Sequence, residues 1–70
     1  MRLLTSAYPR PIYLGQRVTV VHRLTRSDWV SGTVTGYAHG TFTVLIDTVL
    51  DNTAGDADGN EIDVFYEDML

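Results

Sequence analysis

Two histidines, a cluster of carboxylates and five arginines are the residues in this 70-residue chain equipped for chemistry. His22 and His39 carry imidazoles suited to proton transfer near neutral pH. Neither has a serine or cysteine nucleophile beside it in sequence, and cysteine is absent altogether. No Gly-rich phosphate loop, H-E-x-x-H pair or Ser-centred elbow occurs. The expectation is a protein that is not an enzyme and uses no cofactor. The segment Asp56-Ala57-Asp58-Gly59-Asn60-Glu61 invites a calcium reading, because hard cations take clustered carboxylate oxygens. An EF-hand register would need an acid at position 54 and a glutamate at position 65, where this chain has Ala54 and Phe65. A solvated acidic hairpin is therefore expected, with no metal site.

The charges are segregated. Arg2, Arg10, Arg17, Arg23 and Arg26 are the only fixed cations, and all fall within residues 1–26, which hold no acid. All nine carboxylates fall in residues 27–70, so segments of +5 and −9 give the net charge of −4. Such a split suggests an electrostatic partner for one half or mutual neutralisation in the folded chain. The five arginines are the candidate electrostatic contacts.

These groups must be held by a small scaffold. Seventy residues make one domain at most, since domains commonly run to roughly 100–150 residues. Without cysteine there is neither a disulfide nor a thiolate zinc site to staple the core, which leaves oligomerisation. No run approaches the ~18 apolar residues of a membrane span. The stretch Met1–Ala7 is too weakly apolar for a signal peptide. A soluble protein of the cytoplasm, with no membrane partner, is expected.

Period-two alternation predicts an all-β chain. Pro9 and Pro11 mark residues 1–13 as an extended N-terminal arm, with a short strand at 3–8. Strands are predicted at 17–23, 29–37, 41–50 and 61–66, followed by one closing turn. In the second, Val30, Gly32, Val34 and Gly36 face inward, while Trp29, Ser31, Thr33, Thr35 and Tyr37 face outward. A three-residue loop, Ala38-His39-Gly40, sets Gly36 opposite Phe42 and Val34 opposite Val44. A two-residue loop would place Thr35 opposite Val44 and threonine in the core. The predicted core comprises Tyr13, Leu14, Val18, Val20, Val30, Val34, Phe42, Val44, Ile46, Leu50, Ile62, Val64, Tyr66 and Met69. Trp29, Tyr37, Leu45 and Phe65 fall on the outward face and are the candidate partner-binding residues, with Trp29 the foremost anchor.

The segments Leu14-Gly15-Gln16-Arg17-Val18, Asp28–Val34, Phe42–Asp47 and Ile62–Leu70 together resemble the SH3-like barrels, the Tudor branch in particular. The resemblance spans residues 14–70 and implies a small barrel of four to five antiparallel strands behind the 1–13 arm. Tudor readers of methylated side chains use an aromatic cage. The matching positions here hold His22, Val30, Asp47 and a residue near Leu50, none of them Phe, Tyr or Trp, so no such ligand is implied. These barrels run a further strand after the closing turn. Its place is expected to be taken by the arm or by a neighbouring chain, because bare sheet edges recruit strands.

The functional expectation is a stand-alone protein–protein binding module that docks on a larger enzyme or assembly, or on another copy of itself, and modulates or completes it. A bacteriophage or mobile-element protein, acting in the host cytoplasm, fits that description. The alternatives are a nucleic-acid-binding barrel using the Arg-rich first third and an acidic DNA mimic that occupies a nucleic-acid enzyme.

Overall fold

The computed structural model describes residues 2–22, 24–50 and 59–69. Met1, Arg23, the 51–58 segment with Asp56 and Asp58 of the calcium reading, and Leu70 lie outside the described residues. The protein is all-β, with β1 (Leu3–Thr5), β2 (Ile12–Tyr13), β3 (Arg17–Val21), β4 (Asp28–Ala38), β5 (Thr41–Val49) and β6 (Glu61–Phe65). A 3-10 turn, Tyr66–Asp68, follows β6. Strands β3 to β6 form an antiparallel meander in chain order, and β1 pairs with β2 in a separate two-stranded sheet.

The expected barrel is not closed by continuous pairing. One isolated bridge, Val20 to Met69, carries the chain after the 3-10 turn back to β3, at the far edge of the meander. Nor does the arm fill a sheet edge. It folds on itself as the β1–β2 hairpin, with Pro9 and Pro11 in the connection, where a missing backbone donor costs no ladder bond. The arm contributes side chains to the core instead. Ile12 is fully buried, and Leu4 and Tyr8 pack against the core cluster.

Three extra residues govern which side chains enter that core. Trp29 has no opposite number between the pairs Val20–Val30 and Val21–Asp28. Thr35 is skipped between Val34–Val44 and Gly36–Thr43, and Asp47 between Ser31–Thr48 and Gly32–Ile46. Each is a β-bulge, which shifts the phase of a strand by one residue and re-aims the side chains beyond it. The β4–β5 loop is two residues, not three. His39 (φ 53°) and Gly40 (φ 81°) both occupy the left-handed region, as a type I′ turn demands. Val44 still faces Val34 because the bulge at Thr35 absorbs the offset, leaving the threonine exposed.

The bulges also correct the outward assignments. Beyond Thr35 the phase reverses, so Tyr37 turns inward and packs on the core. Beyond Asp47, Val49 packs on the core and Leu50, expected in it, is exposed. Leu14 is likewise exposed rather than core. At Trp29 the bulge lets the indole lean on the core alongside the fully buried Val30.

One end of the core is sealed by aromatic rings from four parts of the chain. Tyr8 stacks on Tyr66 at 4.5 Å between centroids and 7° between planes, and meets Phe42 at 5.8 Å and Tyr37 edge-on at 6.3 Å. Tyr37 and Phe42 lie 4.6 Å apart. Offset and edge-on ring pairs add to the area they bury. Arg10 then closes over the outside, 5.8 Å above the Tyr66 ring, with its backbone N–H and Nε donating to the Tyr66 hydroxyl.

Gly32 admits no side chain. A Cβ there would sit 2.1 Å from the Leu45 carbonyl oxygen, whereas one at Gly36 would meet nothing nearer than 3.9 Å. Gly32→Ala is expected to cost about 1–3 kcal/mol or more, because backbone must move. Gly36→Ala should be neutral or stabilise by up to about 1 kcal/mol; urea unfolding of the two variants measures the contrast. Removing the ring that docks the arm, Tyr8→Ala, should cost about 2–3 kcal/mol, under the range for fully buried aromatics because Tyr8 is half-buried. The same unfolding curves report it.

Candidate binding cleft

The meander curls until its two edge strands, β3 and β6, approach each other without pairing along their length. Between them lies a cleft of about 290 Å³ lined by Val20, Val21, His22, Trp29, Ile62, Asp63, Val64 and Asp68. Its walls are apolar because Val20 and Val21 are both buried after the bulge, and because Ile62 and Val64 are the inward residues of β6. The volume suits one or two side chains, at the lower edge of the roughly 300–1,000 Å³ typical of small-molecule sites.

Polar groups enter this cleft at specific points. Asp68, on the 3-10 turn, is the one charged residue buried among those described, at 5% exposure. Arg26 reaches it at 3.5 Å from a loop where Arg26 itself holds φ 58°, in the left-handed region. His22 fixes that loop. Its Nδ1 accepts from the backbone N–H groups of Leu24 and Thr25, which places the ring proton on Nε2. The ring then meets Trp29 edge-on at 5.6 Å. The Trp29 indole N–H is buried and has no hydrogen-bond partner among the described residues. An unmade donor of this kind costs about 1–3 kcal/mol.

The residues singled out from sequence do not share one surface. Trp29 lines the cleft and Tyr37 belongs to the aromatic seal, both half-buried against the core. Leu45 and Phe65 are each 40% exposed on the outer face, Leu45 opposite Glu61 and Phe65 opposite Thr41. Between them the Thr43 hydroxyl donates to Asp63. The four Tudor-cage positions also separate, since Val30 is fully buried and Asp47 lies on the exposed face. Alternation along the chain does not single out Asp68, Val21 or Val64 as site residues. Nothing in Tyr66-Glu67-Asp68-Met69 signals that the second of its two acids turns inward.

Three of the four described arginines are engaged. Arg17 lies over β4, donating to Ser31 and Thr33, and its guanidinium grips both carboxylate oxygens of Asp47 on β5. That hydrogen bond holds the Asp47 carboxyl below its ordinary range and raises Arg17. Arg10 lies on Tyr66 and lowers its phenol through the hydrogen bond it donates, while Tyr37 raises that of Tyr8. Arg26 faces Asp68, and Arg2 is exposed. Segregated charge along the chain thus becomes paired charge across the fold at Arg17–Asp47 and Arg26–Asp68.

No helix among the described residues is long and apolar enough to cross a membrane. No group of three or more histidines and carboxylates is placed to hold a metal ion among those residues. Comparison with family models, with curated proteins and with solved structures finds no match to this chain.

Because Arg17 depresses Asp47, the pair's contribution to stability is present above the unfolded carboxylate value of about 4 and is lost as pH falls through the lower folded value. Asp47→Asn should therefore lower the urea midpoint at pH 7. The gap from the parent should close on acidification to about pH 2–3, below that unfolded value of about 4; midpoints across this range test the sign.

Proposed function

We propose that the chain is a small protein-binding module of the SH3-like type that receives part of a partner in the cleft between β3 and β6. The carrying observation is the meeting, at an open seam, of apolar walls, a buried carboxylate and a tryptophan whose N–H has no partner among the described residues. Large aromatics in partly desolvated recesses contribute most to protein interfaces. A cavity this small fits a protruding side chain better than a cofactor. The pairing of Arg17 and Arg26 with carboxylates weighs against a nucleic-acid surface built on the first third. The SH3-like assignment draws on the sequence resemblance and on the four-stranded meander that ends in a 3-10 turn. Docking on a larger enzyme or assembly in the cytoplasm, in a phage or mobile-element setting, is the role this reading favours.

The experiment is affinity capture from source-cell lysate with three forms of the protein. Trp29→Phe keeps most of the packing and deletes the N–H, so it should stay folded by circular dichroism and lose the captured protein. Leu45→Ser, on the outer face, should retain it. The opposite pattern would place the binding surface on the outer face of the sheet and overturn the cleft.

A further inference from the structure

We infer that the His22 ring is an acid-operated latch on the loop that joins β3 to β4. Neutral, the ring holds the tip of that loop closed beside the cleft; protonated, it releases the tip. The latch belongs to the free protein and does not depend on the protein-binding reading above, although the ring that operates it is part of the cleft wall.

The loop has two kinds of fastening. Backbone bonds close its base: the His22 N–H donates to the Ser27 carbonyl and the Arg26 N–H to the His22 carbonyl, each at 2.8 Å. Its tip is held by the imidazole, whose Nδ1 accepts from the Leu24 N–H at 3.2 Å and the Thr25 N–H at 3.5 Å. A neutral imidazole accepts at one nitrogen, whereas an imidazolium carries a proton on both and accepts at neither. Protonation therefore sets an N–H against two N–H groups, and ring and tip must part. The Thr25 hydroxyl meets that of Ser27 at 2.7 Å, but Leu24 is 88% exposed and adds almost no packing. Beyond them Arg26 stands at φ 58°, a left-handed conformation that a non-glycine residue keeps only under constraint from its surroundings. Only the released loop can carry the second ring proton, so acidification favours release. The described charged groups around the ring are Arg26 in the loop, Asp28 beside Val21 at the start of β4, Asp63 on β6 and Asp68 on the 3-10 turn. Carboxylates ordinarily titrate near pH 4, below the imidazole range, so their response is separable from that of the ring.

The test is NMR of the ¹⁵N-labelled whole chain at about pH 8 and about pH 5, on either side of ordinary imidazole titration. At the higher pH, ring spectra should show the proton on Nε2, and Leu24 and Thr25 should have order parameters near the roughly 0.85 of rigid backbone. At the lower pH both should fall below roughly 0.6, the flexible range, while Val30, Val34 and Val44 in the core keep theirs. His22→Asn retains a short acceptor that does not titrate, so the difference between the two pH values should vanish at Leu24 and Thr25. His39→Asn, in the β4–β5 turn, should leave that difference intact. A proton on Nδ1 at the higher pH, a tip unchanged by acid, or an acid response that survives in His22→Asn overturns the latch. The protein-binding reading is decided separately, by capture with the Trp29 and Leu45 variants.

Discussion

A strand of eleven residues that lies in the middle of a sharply curled sheet cannot keep one face dry by alternation alone, and β4 is under that constraint. Its neighbours wrap around the core and approach it from two directions, so the phase of its side chains must change along its length. Bulges at Trp29 and Thr35 on β4 and at Asp47 on β5 make the change. The closest approach falls beside one of them, at Gly32, where the Leu45 carbonyl occupies the space a Cβ would need. The inward turn of Tyr37, the burial of Val21 and the partial burial of Trp29 follow from these resets. The aromatic seal and the cleft both depend on them.

Arg17 and Asp47 show how such a reset is used on the solvent side. The bulge carries Asp47 on the exposed face, and Arg17 crosses β4 to reach it, touching Ser31 and Thr33 on the way. One side chain thereby ties three strands where their twist changes. Exposed ion pairs contribute little individually, but a bidentate one spanning a bulge also restricts register, which alternation leaves loosely specified.

Alternating valines and threonines make the four long strands legible, because period two is a property of each strand by itself. Gly40 and the Asp58-Gly59 pair mark turns for an equally local reason, and Gly59 does adopt a positive φ of 80°. Bulges are different, since an extra residue is defined only against a partner strand. Nothing in Gly-Thr-Val-Thr-Gly-Tyr shows that Thr35 is skipped, and so alternation alone puts Tyr37 outside. His39 obscures the two-residue turn because a non-glycine residue rarely takes positive φ. The arm's prolines signal extension correctly, but not that the hairpin delivers Ile12 and Tyr8 to the core. The cleft is out of reach of sequence reasoning because it arises between residues some forty positions apart. Asp68 looks like any surface acid until its neighbours in space are known.

The Val20–Met69 bridge has a dynamic corollary. Each ladder of the meander joins neighbouring segments through several consecutive pairs, whereas a single bridge fastens the last turn to β3. Local opening is cheapest where the fewest paired groups must separate. Here side chains replace the missing ladder, since Met69 is buried in the core, Tyr66 stacks on Tyr8 and Arg10 donates to the Met69 carbonyl. The seam at β3 is thus fastened by packing where the rest of the meander is fastened by ladders, and its hold depends on the arm that supplies Tyr8 and Arg10 staying docked.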